Sequence, residues 1–378
     1  MLPLLPASQL TYECPGHRGR ISEAVHRARM EADFPACRGC VHGRTDRQPV
    51  LEFDAGSLRG RAGNVIDASS VAAWGRSLAA GLVGGDGRRP RVVIGRDGRS
   101  AAAELAAGLR AMATAGCELL DLGRTRRPVL DFAVRELAAE AGVMVTGGRR
   151  PAGWTGLDVV GHGGAAWSWP GTAAEQMTGP LDRPMRQGGG LTSVDAGDAY
   201  VASFLAQTHT LRPLRLLLFA DDPTLRSAAK VVFENTPVRA DVRPAPSADP
   251  RQLSRWLAPH MADGGRFQRD NRFDVAAAVD RDGRRVTYCD GSGQPVPDEV
   301  TARVLSGLLG ATTIVLDEPT EELEDVVLRL SGTAVGIAEG RPLAICEGGS
   351  VRRDALLSVA MILRQLTRSG RSLESFCT

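Results

Sequence analysis

The sequence has little lysine, few aromatic residues and no long apolar run. Lys230 is the only lysine, so nearly all of the 46 basic residues are arginines, a bias typical of a GC-rich coding sequence. A formal net charge of +2 and an aromatic content of 4% give no support to nucleic-acid binding. No stretch reaches the roughly 18 to 20 apolar residues that span a membrane. Because residues 1–9 also lack the positive charges of a signal peptide, we expect a cytoplasmic protein without membrane contact.

From residue 51 onward, strand-like and helix-like segments alternate, which predicts an α/β fold with parallel or mixed sheets covered by helices. A glycine-rich stretch at 161–190 indicates a domain boundary near its end. The predicted units are a small module at 1–50 and α/β domains at 51–187, 188–297 and 298–378. The predicted helices are 21–30, 101–115, 130–141, 223–233, 250–261, 298–309, 321–330 and 353–367.

The first fifty residues hold three of the seven cysteines and three of the six histidines. Two residues separate Cys14 from His17, and two separate Cys37 from Cys40. Two such pairs about twenty residues apart can close one tetrahedral zinc site. The segment resembles a zinc ribbon, and we expect a structural Zn²⁺ because so few apolar residues cannot form a core alone.

Other interpretations of this cluster remain open. His26 and His42 are alternative ligands. The cluster can also arise by chance, or Cys37 and Cys40 can form a redox pair, although no thioredoxin-like strand precedes them. If the module exists, it provides a possible docking site for a protein partner.

Five short segments carry a family pattern, in the same order along the chain. They are F-D-A-G-S-L-R-G at 53–60, V-I-G-R-D-G-R-S at 93–100, G-V-M-V-T at 142–146 with T-G-L at 155–157, the acidic loop at 274–285, and E-G-G at 347–349. Residues 51–375 thereby resemble the α-D-phosphohexomutases, the family of phosphoglucomutase and phosphomannomutase. The resemblance implies three successive α/β/α domains. We expect the fourth, C-terminal domain of the family, which supplies a phosphate clamp, to be absent.

The resemblance also implies a catalytic site, from which this sequence departs. The family transfers phosphate through a phosphoserine in a loop of the form T-A-S-H-N-P. Here Gly148 stands at the serine position and Arg149 at the histidine position. Asp158 stands where the family has a lysine, and Gly349 where it has a sugar-loop serine. We therefore expect no catalytic residue at these positions, since a phosphoryl acceptor needs a hydroxyl.

The metal loop of the family, D-x-D-x-D-R, offers three carboxylates to Mg²⁺. This chain keeps Asp280 and Asp282, but Arg284 replaces the third carboxylate. A guanidinium repels a divalent cation, so we expect a vestigial loop without Mg²⁺, in which Arg284 pairs with one of the aspartates.

An anion-binding cleft is the function that these substitutions leave. The predicted ligand-binding residues are Arg59, Arg149, Arg150, Arg284, Arg285 and Glu347. Converging arginines would hold a phosphosugar or another small anion. The alternative is that the arginines lie on solvated loops of an arginine-rich protein.

Three functional hypotheses follow. The first is a non-catalytic phosphohexomutase relative that binds an anion or a protein partner. The second is an active mutase with an altered site, using Thr146 or Ser350 as the nucleophile. The third is a nucleic-acid-associated protein acting through the zinc module, against which the near-neutral charge argues.

Overall fold

The computed structural model describes residues 11–14, 16–32, 34–37, 51–54, 56–63, 66–83, 88–148, 150, 153–164, 167, 188–245, 252–253, 255–257, 273–309, 312–315, 334–337, 344–347 and 350–377. Arg149, Cys40, His42, Gly349, the predicted helix at 321–330 and most of the stretch at 161–190 lie outside the described residues, and the predicted helix at 250–261 is described only in part. In the described part of the chain, no helix is long and apolar enough to cross a bilayer.

A short antiparallel hairpin lies near the N-terminus. Strand β1 (Thr11–Glu13) pairs with β2 (Arg20–Ser22), with Glu13 opposite Arg20. Helix α1 (Glu23–Glu31) follows directly, because the Ser22 hydroxyl accepts a hydrogen bond from the backbone N–H of Val25. The helix predicted at 21–30 therefore begins two residues later, since Ile21 and Ser22 take part in the hairpin.

Seven strands form the first sheet. They are β3 (Glu52–Asp54), β4 (Ser57–Arg61), β5 (Arg91–Arg96), β6 (Glu118–Arg124), β7 (Ala141–Val145), β8 (Trp154–Gly161) and β9 (Leu191–Ser193). Their order is β3-β4-β8-β7-β5-β6-β9. Strands β7, β5, β6 and β9 are parallel, and β8 runs antiparallel to both β4 and β7. Because β9 pairs with β6, this sheet extends past the boundary predicted at 187.

Four helices flank this sheet: α2 (Ala68–Leu82), α3 (Ala102–Gly108), α4 (Ala111–Thr114) and α5 (Arg127–Glu136). The helix predicted at 101–115 is interrupted directly after Gly108, a residue of low helix propensity. The helix predicted at 130–141 begins three residues earlier, with Pro128 in its first turn. It ends at Glu136, before Ala138 takes a positive φ of 48°, so that Ala141 can begin β7.

The second sheet contains five strands and three associated helices. The strands are β10 (Arg215–Ala220), β11 (Arg239–Arg243), β12 (Val275–Val279), β13 (Val286–Asp290) and β14 (Pro295–Val296), and the helices are α6 (Gly197–Ala202), α7 (Leu205–Thr208) and α8 (Pro223–Glu234). The order is β11-β10-β12-β13-β14, with β10, β11 and β12 parallel. Asp222 caps α8 by accepting hydrogen bonds from the backbone N–H groups of Thr224 and Leu225 at 2.8 and 3.1 Å.

The third sheet follows helix α9 (Asp298–Leu309), whose predicted bounds agree with the structure. Its strands, in spatial order, are β15 (Thr312–Val315), β16 (Ala334–Ile337), β17 (Ala344–Glu347) and β18 (Ser350–Arg352). Helix α10 (Ala355–Ser369) starts at the Asp354 cap and ends before Gly370, which has a φ of 67°. Buried side chains of α10 share one core with those of β10, β12 and β13. The predicted α/β fold class is confirmed.

Candidate functional site

The candidate site lies where several strands of the first two sheets end. Residues that directly follow β5, β6, β10 and β12 line one open groove with a volume of about 460 Å³. Ligands of open α/β sheets bind at the carboxyl ends of parallel strands, so this position is the expected one for a binding site.

The loop after β7 corresponds to the catalytic loop expected from the sequence. The Thr146 hydroxyl donates to Asp97 Oδ2 at 2.8 Å and accepts from the backbone N–H of Gly148 at 2.9 Å. Gly148 has a φ of 54°, a left-handed conformation that favours glycine. A Cβ at this position would lie 3.3 Å from Nη2 of Arg59, so a side chain here would face that guanidinium.

Arg99 holds this loop in place. Its Nη2 donates to the carbonyls of Gly148 and Arg150, each at 2.8 Å, and its Nη1 donates to the Trp154 carbonyl at 3.0 Å. Its Nε donates to Asp97 Oδ2 at 3.1 Å. Burial lowers the pKa of Arg99, although Asp97 opposes this effect. The loop conformation thus depends on one guanidinium that binds three carbonyls.

Asp158 lies at the centre of a buried ionic network and is 1% exposed. It accepts a hydrogen bond from Ser57 Oγ at 2.7 Å and pairs with Arg59. Arg127 Nη1 lies 3.1 Å from its Oδ2, and Arg284 Nη2 lies 3.9 Å from the same oxygen. Burial alone would raise the pKa of Asp158, but the three guanidiniums outweigh it and hold this pKa well below its usual range.

The turn between β12 and β13 corresponds to the expected metal loop. Asp280 Oδ1 accepts the backbone N–H groups of Arg284 and Arg285, each at 3.0 Å. The Arg284 side chain contacts Asp282 Oδ2, through Nη2 at 2.8 Å and Nε at 3.1 Å. Its guanidinium therefore bridges Asp282 and Asp158, two carboxylates from different sheets.

The two aspartates of this turn differ in their protonation. Burial and the adjacent Asp282 raise the pKa of Asp280 well above its usual range, and Oδ2 of Asp280 is buried without a hydrogen-bond donor in the described structure. Burial would also raise the pKa of Asp282, but Arg284 outweighs it and lowers that pKa. Of the two carboxyls, Asp280 therefore takes up a proton more readily than Asp282 does.

These residues do not fit a magnesium ion. A hard cation prefers several ionised oxygen ligands, whereas Arg284 occupies the third ligand position and Asp280 favours its neutral form. In the described part of the chain, no group of three or more histidine, cysteine, aspartate or glutamate side chains could hold a metal ion.

A second set of ion pairs joins the ends of β6, β10 and β12. Arg126 pairs with Asp222 and donates to Thr224 Oγ1 at 3.2 Å and to the carbonyl of Arg281 at 3.3 Å. Arg281 in turn pairs with Asp221, with Nη2 at 2.8 Å from Oδ2. Burial lowers the pKa of Arg126 to about 10. Because Arg126 follows the first sheet and its partners belong to the second, these contacts connect the two sheets.

The predicted ligand-binding arginines do not form one open cluster among the described residues. Arg59 and Arg284 bind aspartates inside the network, whereas Arg150 pairs with Glu52 and lies over the Trp154 ring, 5.1 Å from its centre. The backbone of Glu347 lies in β17, and Arg149 is outside the described residues.

Among the groups of the site that sequence reasoning missed are Asp97, Arg99, Arg126, Arg127 and Arg281. The first two lie in the segment at 93–100, whose letters match the family pattern without indicating which of its side chains contact the loop after β7. The other three are arginines in an arginine-rich chain, and only their contacts with distant aspartates distinguish them.

Three of the four predicted zinc ligands are described. His17 donates its backbone N–H to the Cys14 carbonyl at 2.9 Å, which closes a turn between the hairpin strands. Cys37 ends a short 3₁₀ turn, Pro35–Cys37, and Arg29 Nη1 lies 3.2 Å from Cys14 Sγ. A Cβ at Gly16 would lie 2.8 Å from Ala36, so the two turns pack closely.

Known proteins resemble this chain in sequence. Residues 50–174 match the family model for the phosphoglucomutase/phosphomannomutase α/β/α domain I. A relative from Methanothermobacter thermautotrophicus named "Probable phosphoglucosamine mutase" is 27% identical over 261 residues, covering 66% of this chain and 56% of the relative. The phosphoglucosamine mutase of Xanthomonas euvesicatoria is 25% identical over 360 residues, covering 85% of this chain and 79% of the relative. The chain thus spans little more than half the length of the first of these relatives.

Solved structures resemble it in fold. A phosphoglucomutase/phosphomannomutase family protein from Burkholderia thailandensis has a TM-score of 0.67 at 21% identity, covering 83% of this chain and 76% of that one. The exocytosis-sensitive phosphoprotein parafusin (phosphoglucomutase) from Paramecium has a TM-score of 0.57 at 12% identity, covering 85% and 72%. The matched domain and the curated relatives support membership of the α-D-phosphohexomutase family, and the solved structures show that the chain shares their fold.

Proposed function

We propose that this protein is a non-catalytic phosphohexomutase relative that binds a phosphosugar or another small anion. The observation that supports the proposal is the ionic network around Asp158, in which three guanidiniums surround one buried carboxylate and Arg284 also binds Asp282 of the expected metal loop. Phosphoryl transfer through a covalent intermediate requires a nucleophile, a cation and a proton donor or acceptor.

The nucleophile is the first missing part. Gly148 has no hydroxyl, and the neighbouring hydroxyl of Thr146 is buried and already bonded to Asp97. That hydroxyl also accepts the Gly148 N–H, so it is held away from a substrate. Loss of a covalent nucleophile reduces turnover by many orders of magnitude.

Space is the second argument. The cavity bordered by Thr146, Gly148, Asp158 and Asp282 measures about 10 Å³, which is room for about one water molecule. A phosphoryl group together with a hydrated cation needs several times this volume. The arginines and aspartates therefore neutralise each other where the family reaction would take place.

Mutase activity is the second candidate, favoured by the names of the relatives, which are phosphoglucosamine mutases. The two candidates are separated by assaying the purified protein with glucosamine, glucose and mannose 6-phosphates, with and without Mg²⁺, beside an active mutase. We expect no turnover, but a rise in melting temperature with at least one phosphosugar. A kcat above about 1 s⁻¹ would contradict the proposal, since typical enzymes lie in that range.

We also propose a structural zinc ion bound by Cys14, His17, Cys37 and Cys40. The spacing of the two pairs supports it, and the packing of Gly16 against Ala36 brings their two turns together, whereas the side chains of Cys14, His17 and Cys37 are not grouped as metal ligands in the described part of the chain. Arg29 would then donate to the Cys14 sulfur, an outer contact of the kind that orients metal ligands.

Metal analysis of the purified protein tests this proposal. We expect about one zinc per chain, lost in the Cys37→Ser, Cys40→Ser double variant and retained in Cys377→Ser, because Cys377 is an exposed cysteine far along the sequence. Zinc content near zero in the wild type would contradict it. We further propose a cytoplasmic location, a module at 1–50 and three α/β domains whose first boundary, expected at 187, lies after β9, and docking of a protein rather than a nucleic acid through this module.

A further inference from the structure

We infer that the open groove binds the phosphate group of a hydroxyl-bearing phosphate monoester, and that Arg124 is its anchor. The inference rests on the proposed function and identifies the place and chemistry of binding. It assigns the ligand to the groove of about 460 Å³ outside the buried network, and not to the small cavity beside Gly148.

The charges of the groove indicate where an anion would bind. Four guanidiniums and three carboxylates line it: Arg99, Arg124, Arg126, Arg281, Asp97, Asp221 and Asp222. Three pairs neutralise each other: Asp97 with Arg99, Asp222 with Arg126, and Asp221 with Arg281. The side chain of Arg124 makes no ion pair or hydrogen bond with any other described residue, so it carries the net positive charge among the described residues that line the groove.

The Arg124 side chain is exposed to solvent, but its guanidinium also contacts the protein. Its guanidinium lies against Gly98, where a Cβ would be 2.6 Å from Nη2 and 2.9 Å from Cζ. Position 98 therefore needs glycine for this placement of the guanidinium. The side chain remains exposed to solvent and keeps its five N–H donors, a geometry that suits two oxygens of a phosphate.

Two further polar side chains of the groove extend the match to a hydroxyl-bearing ligand. The exposed Ser100 hydroxyl and the Oδ1 atom of Asp221 also line the groove, and no described residue donates to or accepts from either. Hydroxyl groups on the ligand would supply the missing partners. The groove volume lies in the range of sites for small organic molecules.

Titration calorimetry with glucose 6-phosphate, inorganic phosphate and glucose tests the inference. We expect glucose 6-phosphate to bind more tightly than phosphate, and glucose not to bind. Arg124→Ala should weaken phosphate-ester binding about tenfold or more, because a charge-assisted contact is lost. Arg110→Ala, which removes another exposed arginine, should change it less than twofold.

A variant at Gly98 tests whether the position of the Arg124 guanidinium matters in addition to its charge. Gly98→Ala keeps the charge of Arg124 but displaces its flexible side chain, so it should weaken binding nearly as much as Arg124→Ala without lowering the melting temperature. Gly81→Ala is the control, since a Cβ there meets no atom within 4 Å.

The outcomes distinguish this inference from the proposed function. Wild-type binding that is unchanged in Arg124→Ala contradicts the inference alone and leaves a non-catalytic anion-binding protein. Absence of binding by the wild type at millimolar ligand contradicts both the inference and the binding part of the proposed function.

Discussion

Asp158 is the residue on which most charges of the site depend. It is buried and accepts contacts from Ser57, Arg59 and Arg127, so its removal leaves buried guanidiniums without a counter-charge. We expect Asp158→Asn to lower the free energy of unfolding by about 3–5 kcal/mol. Chemical denaturation measures this value, with Asp198→Asn as an exposed control that should change it by less than about 0.5 kcal/mol. If Asp158→Asn and Asp198→Asn lowered the free energy of unfolding equally, the buried ionic network around Asp158 would add no more stability than an exposed carboxylate does.

The two aspartates of the turn at 280–283 should respond oppositely to substitution. Because the pKa of Asp280 is raised, its carboxyl binds a proton more tightly in the native protein than in the unfolded chain. Its contribution to stability is therefore present below about pH 3.9, the pKa in the unfolded chain, and is lost as pH rises through the raised native pKa. Asp280→Asn should therefore match the wild type near pH 4 and be more stable by at least about 1 kcal/mol at pH 8, because one pKa unit corresponds to that energy.

Asp282 is the matched control within the same turn. Its pKa is lowered, so its stabilising contribution exists above about pH 3.9 and is lost as pH falls below that value. Asp282→Asn should destabilise the protein at pH 8, since Arg284 loses its main partner. Chemical denaturation at pH 4 and pH 8 measures the change in the free energy of unfolding of each variant. If both variants changed it in the same direction at pH 8, the assignment of the raised pKa to Asp280 would be wrong.

Sequence reasoning identified part of the site at the level of residues. The motifs alone indicate that Gly148 lacks the hydroxyl of the expected phosphoserine. They also indicate that Arg284 stands where the third metal-binding carboxylate is expected. The partners could not be found in the same way. Arg59 and Asp158 are 99 residues apart, and only the pairing of β4 with β8 brings them together.

At the scale of elements, the loop after β7 depends on Arg99. Because its guanidinium binds the carbonyls of Gly148, Arg150 and Trp154, a lysine with one ammonium group cannot replace these contacts. We expect Arg99→Lys to accelerate amide hydrogen exchange in residues 147–150 about tenfold. Exchange measured by mass spectrometry should be unchanged there in Arg110→Lys, and equal protection in wild type and Arg99→Lys would contradict this role.

Element boundaries show where local sequence signals fail. Helix α9 has a strong pattern, and its bounds agree with the helix predicted at 298–309. Helix α5 begins earlier than expected, because Arg127 at its start looks like a loop residue in sequence but is buried by its pairs with Asp131 and Asp158. A tertiary contact, which no local pattern records, determines that helix start.

At the scale of the molecule, Arg126 connects the first two sheets through Asp222. Both side chains are largely buried, so their interaction is weakly screened by water. A double-mutant cycle with Arg126→Ala and Asp222→Asn should give a coupling energy of at least about 1 kcal/mol. The exposed pair Arg91 and Glu118, 4.0 Å apart, should give less than about 0.5 kcal/mol. An equal coupling energy in both cycles would mean that the buried pair of Arg126 and Asp222 stabilises the contact between the two sheets no more than an exposed ion pair would.

The packing of α10 has a consequence for synthesis on the ribosome. Its apolar side chains complete the same core as β10, β12 and β13, although more than sixty residues separate the end of β13 from the start of the helix. A nascent chain that has produced the second sheet therefore exposes the apolar face that α10 later covers. Until residue 369 has left the exit tunnel, this apolar face is available to chaperones. We therefore expect chaperones to bind most strongly to stalled nascent chains that end between β13 and the end of α10.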